Sequence, residues 1–182
     1  MDGGAAWAGL SAIVPLAPGE PAWRGLLPQL GVLRAVEEIL LVAVEGVDAH
    51  LEAEVSALAP GTAKVRVLRA PRGRALQQDA GARAARGAWL WFVHADTSFA
   101  PAAAEALSRA LVGPPALYYF DLRFAGDGPQ AMGVNDLGVW LRCRLFGLPF
   151  GDQALLLPAD VYRQLGGFEA EVGRGEDHAL VW

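Results

Sequence analysis

Trp89-Leu90-Trp91-Phe92-Val93-His94-Ala95-Asp96-Thr97 is an unbroken apolar run that ends abruptly in an imidazole and a carboxylate, with Gly87 bounding it upstream. A short apolar run without alternation is the signature of a strand covered on both faces, and such strands belong to parallel α/β sheets. Ligands of open parallel sheets gather at the carboxyl ends of the strands, so His94 and Asp96 are expected at a ligand site. A carboxylate there is a hard oxygen donor, suited to a divalent cation carrying a phosphate.

Similar runs recur upstream. Leu10 to Val14, closed by Pro15, reads as a first strand, Ile39 to Val44 as a second, Val65 to Leu68 as a third and Trp89 to Val93 as a fourth. Helical patterns separate them. One starts near Pro21, with Pro28 expected to kink or end it. Another runs from Ala49 to Leu58 and is stopped by Pro60-Gly61. The third, Ala75 to Arg86, repeats Leu76, Ala80 and Ala84 at helical spacing and has Gly87 as its expected C-cap. Strand and helix alternate with no hairpin signal, which is the pattern of βαβ crossovers and a parallel sheet.

Beyond this half the rhythm changes. A helix is expected from Pro101 to Leu111, a strand exposed on one side from Leu117 to Phe124, a loop from Gly126 to Gly133 and a helix from Asn135 to Phe146. Gly151-Asp152-Gln153 then precedes a strand at Ala154 to Leu157, a short helix at Ala159 to Leu165 and the turn Gly166-Gly167-Phe168. Glu176-Asp177 opens a last helical stretch, too short to Trp182 to hold without support from elsewhere.

The 182 residues fit one domain, read as a nucleotide-binding half over about 8–100 and an acceptor-side half over about 101–182. With 15 basic against 20 acidic side chains the net charge is −5, which gives no reason to expect a nucleic-acid partner. The charge is unevenly spread: Lys64, Arg66, Arg69, Arg72, Arg74, Arg83 and Arg86 face only Asp79, a positive segment attractive to an anionic ligand. Cys143 stands alone, so no disulfide framework exists. The apolar stretch Leu10 to Leu16 is too short for a membrane span and lacks a basic n-region, and Leu137 to Phe150 reads as a helix packed on a sheet. Cytoplasmic residence is the default expectation, with at most peripheral contact to a membrane acceptor. Pairing into a homo-oligomer stays open, since no stretch specifies it.

Pro71-Arg72-Gly73-Arg74-Ala75 with Gln78 and Gly81-Ala82, then His94-Ala95-Asp96-Thr97, Gly151-Asp152-Gln153, and Gly166-Gly167-Phe168 with Glu176-Asp177 downstream form an ordered series. In order and spacing this series resembles the family 2 glycosyltransferases of the GT-A fold, in particular a small bacterial branch. The resemblance implies a single Rossmann-like α/β domain with a mostly parallel sheet flanked by helices. It also implies metal-dependent transfer of a sugar from a nucleoside diphosphate sugar to a hydroxyl acceptor with inversion. Asp96 matches the metal-binding carboxylate, for Mg²⁺ or Mn²⁺, and His94 sits where a first carboxylate often stands. Pro15, Glu20, Arg72, Gly73, Arg74, Gln78, Gly81, His94 and Gln153 are the expected donor-binding residues. Asp177 matches the general base, supported by Glu176 and Asp152. Each has a plainer reading: Asp96 as a helix cap, Asp177 as an acidic first-turn residue, the arginines as a solvated face.

The chain departs from the family pattern in three places, one of them past Glu176-Asp177, where further helical sequence, often basic, is expected from the resemblance. After the first strand it keeps only Glu20 of an expected Asn-Glu pair, and near Ala43, where a base-reading Asp is expected, it has Val44, Glu45 and Gly46. Glu45 or Asp48 could substitute by a shift of register. These departures keep two alternatives open: a degenerate relative that binds a nucleotide or partner without turnover, and a nucleotidyltransferase. The latter lacks a glycine-rich loop after the first strand.

Overall fold

The computed structural model describes residues 7–58, 64–121 and 154–168. Four strands, β1 (Trp7–Pro15), β2 (Val36–Val44), β3 (Lys64–Ala70) and β4 (Gly87–Phe92), alternate with α1 (Trp23–Gly31), α2 (Leu51–Leu58) and α3 (Arg74–Ala84). The helix α4 (Ala103–Leu111) follows, then β5 (Leu156–Pro158) and α5 (Ala159–Gln164). The sheet order is β3-β2-β1-β4-β5. The first three pairings are parallel and only β4 with β5 is antiparallel. The order turns back between β1 and β4, which makes the crevice above their carboxyl ends the natural ligand position.

Side-chain alternation along the strands builds two cores. Ala12, Val14, Ile39, Leu41, Ala43, Trp91 and Val93 face one side, where Trp23, Leu26, Leu27 and Leu30 of α1 and Leu107 of α4 cover them. Ile13, Leu40, Val42, Leu90 and Phe92 face the other, against Ala75 and Ala82 of α3 and Tyr162 of α5. Strands sandwiched this way need apolar residues at both parities, which is why the sequence shows runs instead of alternation. At the amino-terminal end of the sheet Glu38, 3% exposed, ties four strands together. Its carboxylate accepts from Ser11 Oγ at 2.7 Å, Arg66 Nη1 at 2.7 Å and Arg86 N at 2.9 Å, while Ser11 Oγ accepts from Gly87 N at 2.9 Å. Burial alone pushes the Glu38 carboxyl up, but these donors outweigh it and hold the group below the ordinary glutamate range.

Three local expectations are corrected. Gly87 is the first residue of β4, and the cap of α3 is Ala85 in extended conformation. Glycine is needed there because a Cβ on Gly87 would lie 2.6 Å from Gly9 O and 2.8 Å from Ser11 N. Pro28 neither ends nor replaces α1 but lies inside it at an exposed position, as does Arg24 four residues earlier, whose carbonyl loses its helical donor. Of the strand expected over Leu117 to Phe124, the described part makes a single antiparallel bridge, Tyr118 with Leu156. No helix among the described residues is long and apolar enough to cross a membrane.

Candidate functional site

The carboxyl ends of β1 to β4 open into one cavity of about 340 Å³ lined by Pro15, Ala17, Pro18, Glu20, Val44, Arg72, Gly73, Arg74, Gln77, His94, Ala95 and Asp96. The lining residues end strands or lie on the connections that follow them, except Arg74 and Gln77, which belong to α3. Backbone bonds set the rim: Leu16 N donates to Val42 O at 2.9 Å, Glu45 N to Ala70 O at 2.9 Å and Val93 N to Ile13 O at 2.9 Å. His94 and Asp96 stand on the turn closed by Thr97 N donating to His94 O at 3.1 Å. Asp96 is exposed at this rim and His94 half-buried.

The positive side of the cavity comes from the β3–α3 connection. Gly73 precedes α3 with φ 148°, a region side-chain-bearing residues avoid, and no side chain caps the helix. Uncapped first-turn N–H groups at a helix start make a ready anion site, here with Arg72 and Arg74 on either side. Among the described basic side chains of the positive segment, Arg72 and Arg74 line the cavity. Arg66 is taken by Glu38 and Ala84 O, Arg69 by Glu52, Val47 O and Asp48 O, and Arg83 by Asp79 at 2.7 Å.

Two adjacent glutamines of α3 divide their roles. Gln77, 4% exposed, lines the cavity and donates from Nε2 to Leu16 O at 2.9 Å and Val42 O at 2.7 Å. Gln78, 1% exposed, does not line it, and its amide nitrogen and oxygen have no hydrogen-bond partner among the described residues. Gly81 also lies away from the cavity: a Cβ there would come 2.5 Å from Ile13 Cγ2 and 3.1 Å from Val42 Cγ2, so glycine lets α3 sit close on the sheet. Asp79 accepts from the Tyr162 hydroxyl at 3.2 Å, and that hydroxyl in turn accepts from Phe168 N at 3.2 Å, which anchors Gly166-Gly167-Phe168 to α3. Burial and the Asp79 carboxylate hold the Tyr162 hydroxyl well above the ordinary tyrosine range.

Around the amino-terminal loops Glu20 accepts from Ala22 N at 2.9 Å, and Asp48 accepts from Gly19 N at 3.3 Å. Asp48 thus ties the loop after β2 to the loop after β1 beside a second, smaller cavity of about 160 Å³, instead of entering the main one. Glu45 is exposed and lines neither. Val44 is therefore the end of β2 that faces the main cavity. His50 lies on the surface.

Among the described residues no three His, Cys, Asp or Glu side chains gather as a cation cage. Asp96 does share its cavity with Glu20 and His94. One carboxylate with neighbouring donors suits a cation that takes most of its ligands from phosphate and water, as Mg²⁺ does. Asp152, Gln153, Glu176 and Asp177 lie outside the described residues.

So the structure brings seven expected site residues into one cavity: Pro15, Glu20, Arg72, Gly73, Arg74, His94 and Asp96. Gln78 and Gly81 fall outside it, and Gln77 is the polar residue the sequence reading missed. Its signal was present: Gln77 follows Arg74 by three residues and so shares its helix face.

A family model described as glycosyl transferase family 2 matches residues 37–152, well over half of the chain. The chain belongs to this family. Solved structures with the same fold include the mannosyltransferase PcManGT from Pyrobaculum calidifontis in complex with GDP-Man and Mn²⁺, at 20% identity and TM-score 0.70, covering 93% of this chain and 50% of that one. S. aureus TarS in complex with UDP-GlcNAc is similar at 17% identity and TM-score 0.71, covering 95% and 52%. A 4-diphosphocytidyl-2C-methyl-D-erythritol synthase from Anaerococcus prevotii is similar at 11% identity and TM-score 0.58, covering 94% and 80%. The chain thus spans about half the length of the first two. No match was found among curated proteins. The family 2 chain has the GT-A architecture: a mostly parallel sheet, five-stranded among the described residues, flanked by helices.

Proposed function

We propose that the protein transfers a sugar from a nucleoside diphosphate sugar to a hydroxyl acceptor, with inversion and with a divalent cation, Mg²⁺ or Mn²⁺. The observation that carries this reading is the convergence of Arg72, Gly73, Arg74, His94 and Asp96 on one cavity at the strand ends of a family 2 chain. Arg72 and Arg74 pair with diphosphate oxygens, and the uncapped start of α3 adds backbone N–H donors. Asp96 holds the cation, with His94 and Glu20 beside it. When bound, the cation neutralises charge on the departing diphosphate. Pro15 and its neighbours wall the donor.

For the acceptor, Asp177 serves as the general base that draws the hydroxyl proton as the oxygen attacks the anomeric carbon opposite the leaving group. A single base predicts inversion. Glu176 and Asp152 assist it and Gln153 contributes to donor binding, all four by resemblance to the family. GDP-Man and UDP-GlcNAc in the structural relatives support a nucleotide sugar as the donor class.

Calorimetric titration with UDP and GDP, with and without Mn²⁺, tests the reading. Metal-dependent binding that disappears in Asp96→Ala is expected, and tight metal-independent binding favours the non-catalytic relative. Asp177→Asn should abolish transfer and spare donor binding.

A further inference from the structure

We propose that Gln77 reads the nucleobase, by accepting a hydrogen bond from a ring N–H such as uracil, thymine and guanine carry and cytosine and adenine lack. The inference rests on the nucleotide-sugar reading above. Its origin is the way the amide is held. Both neighbours of the Gln77 amide, Leu16 O at 2.9 Å and Val42 O at 2.7 Å, are carbonyl acceptors, so the nitrogen must face them and its orientation is fixed by chemistry. With both N–H bonds of Nε2 used, the planar amide turns Oε1 away from those carbonyls. No group among the described residues donates to Oε1, yet Gln77 is 4% exposed and lines the cavity. An acceptor of fixed orientation at the cavity wall is a point where a ligand N–H can take the place of water.

The position within the cavity selects the base over the other parts of a nucleotide sugar. Gln77 bridges the ends of β1 and β2, where Pro15, Pro18 and Val44 offer apolar walls to a flat ring. Asp96 follows β4, two strands from β2 in the sheet order, or roughly 10 Å away at the usual strand spacing. The diphosphate end and the apolar end are therefore set apart, with room for a ribose between them. The β2 end itself offers Val44 and no carboxylate. The neutral amide oxygen of Gln77 is the side-chain acceptor that α3 presents there. Unlike a carboxylate it gives no general attraction to donors, so its effect is discrimination: opposite the unprotonated ring nitrogen of cytosine it faces another acceptor.

The test is calorimetric titration of the full chain with UDP and CDP in Mn²⁺. Wild type is expected to bind UDP about tenfold more tightly than CDP, the scale of one mispaired buried polar group. In Gln77→Met the two affinities should converge within about twofold, with Mn²⁺-dependent binding retained and folding verified by circular dichroism. Equal wild-type affinities, or a folded Gln77→Met that keeps the preference, overturn the role of Gln77 and leave the donor-site reading standing. Failure of UDP, CDP, GDP and ADP alike to bind overturns both. Should Gln77→Met not fold, isotope-labelled UDP on wild type decides: a nuclear Overhauser contact between the uracil N3 proton and the Gln77 amide protons upholds the proposal, and its absence in the bound complex overturns it.

Discussion

Gly81→Ala is a one-atom wedge under α3, and its effect can be worked from the packing. Ile13, fully buried on β1, has a stiff branched side chain, and its Cγ2 would lie 2.5 Å from the new Cβ, with Val42 Cγ2 at 3.1 Å. Ordinary carbon contacts need about 3.5–4.0 Å, so α3 must lift by roughly 1 Å. Such a lift stretches the Gln77 bonds, now 2.9 and 2.7 Å, past useful hydrogen-bond length. Overpacking costs about 1–3 kcal/mol and two lost hydrogen bonds about 1–3 kcal/mol together, while the better helix propensity of alanine returns about 1 kcal/mol. The net expectation is a loss of about 1–5 kcal/mol in urea unfolding, or roughly 2–4 °C of Tm per kcal/mol for a chain of this size. Nucleotide affinity should fall in parallel, because Arg74 and Gln77 ride on the same helix. A variant as stable as wild type with unchanged affinity would refute the reasoning, since helix propensity alone predicts a small gain.

Other outcomes follow from the same geometry. Asp96→Ala should leave Tm within about 1 °C, because the side chain is exposed and makes no hydrogen bond or ion pair among the described residues, yet remove Mn²⁺-dependent nucleotide binding in calorimetry. Glu38 is held below its unfolded pKa, so its contribution to stability is complete above the ordinary glutamate value of about 4.3 and is lost as the pH falls through the folded value. Glu38→Gln should therefore flatten the acid limb of a stability-against-pH curve measured by urea melts. Tyr162→Phe removes the hydroxyl that joins Asp79 to Phe168 N and should cost about 1 kcal/mol by thermal melting, with nucleotide affinity unchanged. Release of pyrophosphate from a nucleoside triphosphate, followed colorimetrically, is expected to be absent and separates the nucleotidyltransferase alternative.

Much of the strand and helix pattern was legible because double-sided burial demands apolar runs, as at Ile39 to Val44, and one helix per crossover demands a parallel sheet. The cavity was partly legible for the same reason: Pro15, Val44, Arg72 and Asp96 belong to strand ends, which sequence locates to within a residue or two. What escaped was side-chain phase. Consecutive helical residues point about 100° apart, so whether Gln77 or Gln78 enters the site depends on how α3 is rolled on the sheet, and that roll is set by Gly81 meeting Ile13. Likewise the arginines of the positive segment look equivalent in sequence, and folding gives Arg66 and Arg69 acidic partners far along the chain. Glu38 lies 28 residues from Arg66 and Glu52 lies 17 from Arg69.

By itself, then, the sequence determined the alternation of elements, the family and the chemistry gathered at the strand ends, because these follow from local periodicity and short motifs. Tertiary structure alone decided the order β3-β2-β1-β4-β5, the antiparallel addition of β5, the structural use of Gly87, Arg66 and Arg69, and which of two adjacent glutamines lines the cavity. These depend on which distant atoms meet, and contact between residues far apart in the chain is set by packing, which no short window of sequence encodes.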